Sequence, residues 1–301
     1  MVGQNLAPLL RAQDRTVIAL DKNRTNLDLL ERLNPGIEAH AVDLAEEGPW
    51  MDLFAGADAV VDLKAQIAAP RPGLFERNNV RAQKLVVEAC RRGKVGHLIH
   101  LSSSVVISVA KDAYSESKRR AEELVRAGDV PYTMLRPPLM FGCFDVKHLG
   151  FISRLLDRTP VLPIPGSGRF LRQPVYVLDL CRVILACLDR EPTLAAHNII
   201  GHERIDFIEL IRSIARARGL RRAIVPVPIP LFGVLLRAHG WLTRKPAFVP
   251  EQLDALTAGD DFPVEDWTSR FGVEYTPFAV GLEEMLAAPG YGHAREMVSP
   301  H

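Results

Sequence analysis

Short apolar runs recur through the first half of the chain, and most end in a polar or charged residue. Thr16-Val17-Ile18-Ala19-Leu20 ends in Asp21, Ile37 to Val42 ends in Asp43-Leu44, and Ala59 to Leu63 runs into Lys64. Leu98-Ile99-His100-Leu101 leads into Ser102-Ser103-Ser104, and Tyr132-Thr133-Met134-Leu135 into Arg136-Pro137-Pro138. Runs this short and continuous read as buried strands. Between them Gly3 to Ala12, Phe75 to Arg91 and the segment opening at Tyr114 have helical character. Strands alternating with helices of this length predict a Rossmann-like, doubly wound parallel α/β sheet. After Phe141 the pattern changes. A loop (Phe141–Asp145) and a helix (His148–Asp157) precede the proline- and glycine-rich stretch PVLPIPGSG from Pro160 to Gly168. A strand before Asp179, another at Asn198-Ile199-Ile200 and an amphipathic helix over Ile205–Arg218 follow. The predicted division is a doubly wound core of 1–142 plus about 170–202. The remainder, 143–169 plus 203–301, makes a small, mostly helical substrate part.

Composition narrows the function classes. With 301 residues and 48% hydrophobic content the chain can bury a sizeable core, and a net charge of +1 offers nucleic acid no general attraction. Cys90, Cys143, Cys181 and Cys187 show no metal or dithiol spacing, and the histidines are scattered, so no metal site is expected. No secretion signal is visible and no apolar segment is long enough to span a bilayer, which points to a cytoplasmic protein. The apolar stretch near Leu231–Leu242 leaves surface contact with a membrane as a lesser alternative. No Gly-x-Ser-x-Gly elbow supports a hydrolase.

In sheets of this kind ligands bind beyond the carboxyl ends of the strands. Asp21, Asp43, Lys64, Ser104 and Pro138 all fall just past such ends. A carboxylate at Asp21 can accept both hydroxyls of an adenosine ribose and would repel a 2′-phosphate, favouring NAD over NADP; the bland alternative is a turn or cap residue. Tyr114 and Lys118 stand four apart, one helical turn, so that the ammonium is expected to lower the phenol pKa and fit it for acid/base work.

Tyr114-Ser115-Glu116-Ser117-Lys118, preceded by Leu101-Ser102-Ser103-Ser104, resembles the active-site segment of the extended short-chain dehydrogenase/reductases. Within them it is most similar to the NAD-dependent epimerase/dehydratase branch that acts on nucleotide sugars. The resemblance implies that Ser104 holds the substrate oxygen, that Tyr114 is the acid/base, and that Lys118 tunes it and binds the nicotinamide ribose. It places Asp43 and Leu44 beside the adenine and Leu63-Lys64-Ala65 beside the cofactor's phosphates and ribose. Asn79, Ser102 and Pro138 join the same cofactor-binding set. Arg169 and Arg172 become candidates for a substrate diphosphate. Lys64 departs from the small residue or histidine common at its position. Val105-Val106 replace the acidic residues that dehydratases carry after the hydroxyl, which argues for an epimerase or reductase instead. A homodimer through the Phe75 and Tyr114 helices is also implied.

A dinucleotide fold needs a first strand and a glycine-rich turn. The chain opens Met1-Val2-Gly3-Gln4-Asn5-Leu6, which resembles the tail of that turn, with Gly3 as its third glycine eighteen residues before Asp21. The favoured expectation is a mis-assigned start, with about ten residues of strand and loop upstream. The alternative is a non-catalytic, dinucleotide-binding or structural relative.

Overall fold

The computed structural model describes residues 1–69, 71–108, 112–242, 257, 259 and 261–288, with side chains throughout except at 237–242. The molecule divides into two compact units. The first holds Met1–Pro138, Val177–Ile200 and Val264–Tyr275. The second holds Leu139–Tyr176 and the described residues of Gly201–Pro263 and those from Thr276 onward. The stretch Val264–Tyr275, expected in the second part, belongs to the first: Trp267 is buried there and donates its Nε1–H to Ile200 O at 2.8 Å.

In the first unit the predicted alternation is realised as α1 (Val2–Arg11), β1 (Ile18–Asp21), α2 (Arg24–Leu33), β2 (Glu38–Ala41) and β3 (Ala59–Asp62). A helix beginning at Gly73 passes through a π turn at Glu76–Arg81 into α3 (Ala82–Gly93). Then come β4 (His97–Leu101), α4 (Ala113–Arg126) and β5 (Tyr132–Arg136). β3, β4 and β5 are parallel neighbours, with Val60 opposite Leu98 and Leu98 opposite Tyr132. β1 and β2 form a separate parallel pair, Ile18 opposite Glu38. The sheet is thus split between β1 and β3, where a doubly wound order would place the first strand. Ile18 is accordingly 41% exposed, whereas all five residues of β4 are buried.

The core of this unit forms where Trp50, Met51 and Phe54 of a 3₁₀ turn meet Val86, Ala89 and Cys90 of α3, Leu98 and Met134. α3 ends at Gly93, where an added Cβ would lie 2.6 Å from Phe54 O, so the helix can approach the turn this closely only with glycine.

The second unit begins with β6 (Met140–Phe141), α5 (Leu149–Arg158), β7 (Val161–Pro165), β8 (Leu171–Arg172) and β9 (Val175–Tyr176). The chain then returns to the first unit as α6 (Val177–Leu188) and β10 (Ala196–Asn198), which adds to β5 with Ala196 opposite Met134. β11 (Ile205–Asp206), α7 (Phe207–Ala217), β12 (Ala223–Val227) and α8 (Ile229–Leu242) belong again to the second unit. α9 (Trp267–Phe271) lies in the first and α10 (Phe278–Ala287) in the second.

The proline-rich stretch contains a strand, β7, paired parallel with β12. Its prolines explain how. Pro163 and Pro165 share one parity, and the hydrogen bonds to β12 use the other, as in Gly166 N–H to Val227 O at 2.7 Å and Ala223 N–H to Pro160 O at 3.0 Å. The missing N–H groups therefore face away from the ladder. Asp179 sits buried in the first turn of α6 and accepts from Arg182 Nη1 at 2.8 Å.

Candidate active site

The carboxyl ends of β3, β4 and β5 carry the chemistry, and α4 brings Tyr114 and Lys118 to them. α4 starts cleanly because Asp112 accepts the Ser115 N–H at 2.7 Å, a side-chain N-cap. Asn79, in the π turn, locks the neighbouring loop onto this helix. Its Nδ2 donates to Ser117 Oγ at 2.9 Å and to Gln66 O at 3.0 Å, and its Oδ1 accepts Gln66 N–H at 2.8 Å. Ser117 in turn donates to Tyr114 O at 2.7 Å. Asn79 therefore fixes the strand-to-helix loop against the tyrosine's own backbone.

One expectation about the catalytic pair is corrected. Ser103 lies beside Tyr114. Ser104 is buried, 2% exposed, at the start of a 3₁₀ turn, and its N–H donates to Pro137 O at 2.9 Å. Lys118 does not lower the phenol pKa here. Burial pushes Tyr114 up to about 12, with Ser103 pulling down and Asp112 pushing up. Lys118, 1% exposed, points its Nζ at Leu101 O at 3.0 Å. Burial and then Lys64 lower its pKa to about 8, against the pull of Asp62 and Glu122.

A charged knot missed by sequence reasoning lies beside this lysine. Lys64 Nζ is 2.8 Å from Asp62 Oδ2 and 2.5 Å from Gln83 Oε1, and His100 Nδ1 is 2.9 Å from the same Asp62 oxygen. Burial alone would raise the Asp62 pKa, but Lys64 and His100 hold it well below the usual carboxylate range. Burial, then the charge of Lys118, lowers His100 to about 4, so it is neutral. Its Nε2 is buried without a hydrogen-bond partner. The signal available in sequence was Asp62-Leu63-Lys64: residues two apart in a strand share a face.

The other expected residues are placed as follows. Ser102 is turned inward onto Glu122 Oε1 at 2.6 Å, in a network with Arg136 and Arg126, so its hydroxyl is spent on structure. Asp21 accepts from Asn23 N–H at 2.9 Å and Asn26 Nδ2 at 3.1 Å, a turn role that leaves lone pairs on both oxygens. Asp43 accepts from Ala45 N–H and Arg77, and Leu44 packs on the core. Gly3 lies in the first turn of α1, 3.6 Å from Leu63 Cδ1 measured from an added Cβ, a spacing that does not itself require glycine. Ala65 is exposed and Pro138 half-buried. In the second unit Arg169 is exposed, while Arg172 is 5% exposed and stacks over Phe170 at 5.5 Å. Burial raises Cys90, Cys181 and Cys187 to about 12, which leaves them no nucleophilic thiolate near neutral pH.

The chain is similar to a ceramide reductase from Caulobacter vibrioides, 26% identical over 216 residues, covering 70% of this chain and 67% of that one. It is similar to a 4-hydroxy-2-methyl-3-oxo-4-farnesyl-3,4-dihydroquinoline-1-oxide ketoreductase from Stigmatella aurantiaca, 21% identical over 331 residues, covering 100% and 96%. Its fold is that of UDP-glucuronic acid 4-epimerase from Bacillus cereus, solved in complex with NAD, with a TM-score of 0.69 and 18% identity over 98% of this chain and 96% of the other. Residues 1–200 match the model of the NAD dependent epimerase/dehydratase family, and the chain belongs to that family, whose cofactor is NAD.

Proposed function

We propose that the protein transfers hydride between NAD and a carbinol or carbonyl carbon of a nucleotide sugar, with Tyr114 as the proton donor or acceptor. The observation that carries this reading is the assembly at the ends of β4 and α4: Tyr114 beside Ser103, Lys118 one helical turn along, and Asn79 clamping both the helix and the loop after β3. The donor set suits the cofactor. Lys118 has three N–H donors and spends one on Leu101 O, leaving two for a ribose diol. Asp21 keeps acceptor capacity for the other ribose, and the α1 N-terminus carries no side-chain cap. Bound NAD would supply the hydride acceptor or donor.

A phenol pushed up to about 12 is protonated near neutral pH, so Tyr114 is poised to give a proton. Ser103 would steady the substrate oxygen while the proton moves from Tyr114 Oη. The same observation, together with the two relatives named as reductases, favours a second reading in which the carbonyl belongs to a long-chain apolar substrate. Arg169 and Arg172 are the diphosphate candidates of the first reading only.

Titration with NAD+ and NADH, followed by nicotinamide fluorescence, tests both readings. Turnover of UDP- or dTDP-hexoses is the expected result of the first, and oxidation of NADH by a long-chain ketone that of the second. Absence of cofactor binding would instead make the chain a non-catalytic member of the family.

A further inference from the structure

The turn from β1 into α2 carries two cations, Lys22 and Arg24, directly after the carboxylate of Asp21. NADP differs from NAD by a phosphate on the adenosine ribose, and a nearby arginine is the usual means of accommodating it. Arg24 is the first residue of α2, and Asn23 is its cap. Cα–Cβ bonds in a helix tilt toward the N-terminus, so a long side chain in the first turn reaches back by default, here toward Asp21. Arg24 does the opposite. Its Nε donates to Asp28 Oδ1 at 2.6 Å, one turn along, and its Nη2 donates to Glu31 a further turn on. Seven residues rise about 10 Å along a helix axis, so the guanidinium lies along α2 and away from the end of β1.

The carboxylate that Arg24 turns from is fixed separately. Asp21 accepts Asn23 N–H on one oxygen at 2.9 Å and Asn26 Nδ2 on the other at 3.1 Å, and neither contact cancels its charge. Lys22 faces another acid: burial would raise the pKa of Asp43, yet Ala45 N–H, Arg77 and Lys22 together hold it below the usual carboxylate range. A single exposed ion pair is a weak tether. Two carboxylates on one guanidinium must both be given up before Arg24 can reach a phosphate.

We propose that Asp28 and Glu31 select NAD over NADP by holding Arg24 along α2, so that a 2′-phosphate at the end of β1 meets Asp21 with no guanidinium beside it. This selection rests on the reading that seats the adenosine ribose at Asp21. It is tested by titrating the full chain separately with NADH and NADPH, followed by nicotinamide fluorescence. The native chain should bind NADH at least about tenfold more tightly than NADPH. Asp28→Asn combined with Glu31→Gln should narrow that preference about fivefold or more through tighter NADPH binding, with NADH affinity within about twofold of native. The two side chains are 60% and 36% exposed, so the fold does not depend on them. Adding Arg24→Gln to the pair should restore the native preference, whereas adding Lys22→Gln should not. An unchanged preference in the double variant, a gain that survives Arg24→Gln, or equal binding of the two nucleotides by the native chain overturns the proposal and leaves NADH binding intact. If Asp21→Ala leaves NADH affinity unchanged, or NADH does not bind at all, the proposal falls together with the reading beneath it.

Discussion

Ser103 and Ser104 are chemically identical, and only their place in a 3₁₀ turn separates them. The first lies beside Tyr114; the second is buried against the Pro137 backbone. Ser103→Ala is therefore expected to lower kcat at least tenfold, with Ser104→Ala acting mainly on stability; the reverse order in steady-state kinetics would return the role to Ser104. Tyr114→Phe removes the proton donor alone. Turnover should fall by about 10²–10⁴-fold, while NADH affinity by fluorescence titration stays within about twofold. A variant that keeps most of its activity would show that another group moves the proton. Sequence spacing identified Tyr114 and Lys118 but not their coupling, because the direction of a buried ammonium depends on which carbonyl packing brings near it.

At the scale of elements, Glu122 joins α4 to β4 and β5. It accepts from Ser102, from Arg136 Nε at 2.8 Å and from Arg126 at 2.7 Å. Burial alone would raise its pKa, but these partners bring it down to about 2. A depressed carboxyl stabilises the fold above its unfolded pKa of 4.5 and loses that contribution as pH falls toward about 2. The loss is of the order of 3 kcal/mol at about 1.4 kcal/mol per pH unit. Urea midpoints measured from pH 5 to pH 2 should fall steeply for the native chain. Glu122→Gln should start lower, because Arg136 loses its charge partner, and fall less. The split sheet has a consequence of its own. Strand edges without a ladder partner exchange amide protons faster than paired ones. By hydrogen exchange, amides of β1 and β3 should be labelled well before those of β4 and β5; uniform protection across all four would mean the sheet is continuous in solution.

At the scale of the whole molecule, cofactor binding is a property of the entire first unit, since the candidate residues come from α1, β1, the π turn and α4. NAD at about 100 times its Kd should stabilise the folded state by about 2.7 kcal/mol. A rise of about 5 °C or more in melting temperature is then expected for a chain of this size. An unchanged melt would favour the non-catalytic reading.

The alternation of strands and helices, the acids at strand ends and the Tyr114-to-Lys118 spacing were legible in the sequence, because each is set by neighbours within a turn or a pleat. The strand within the proline-rich stretch was not, since it exists only through pairing with Ala223–Val227, some sixty residues away. The same holds for the knot of Asp62, Lys64 and His100, which joins two strands.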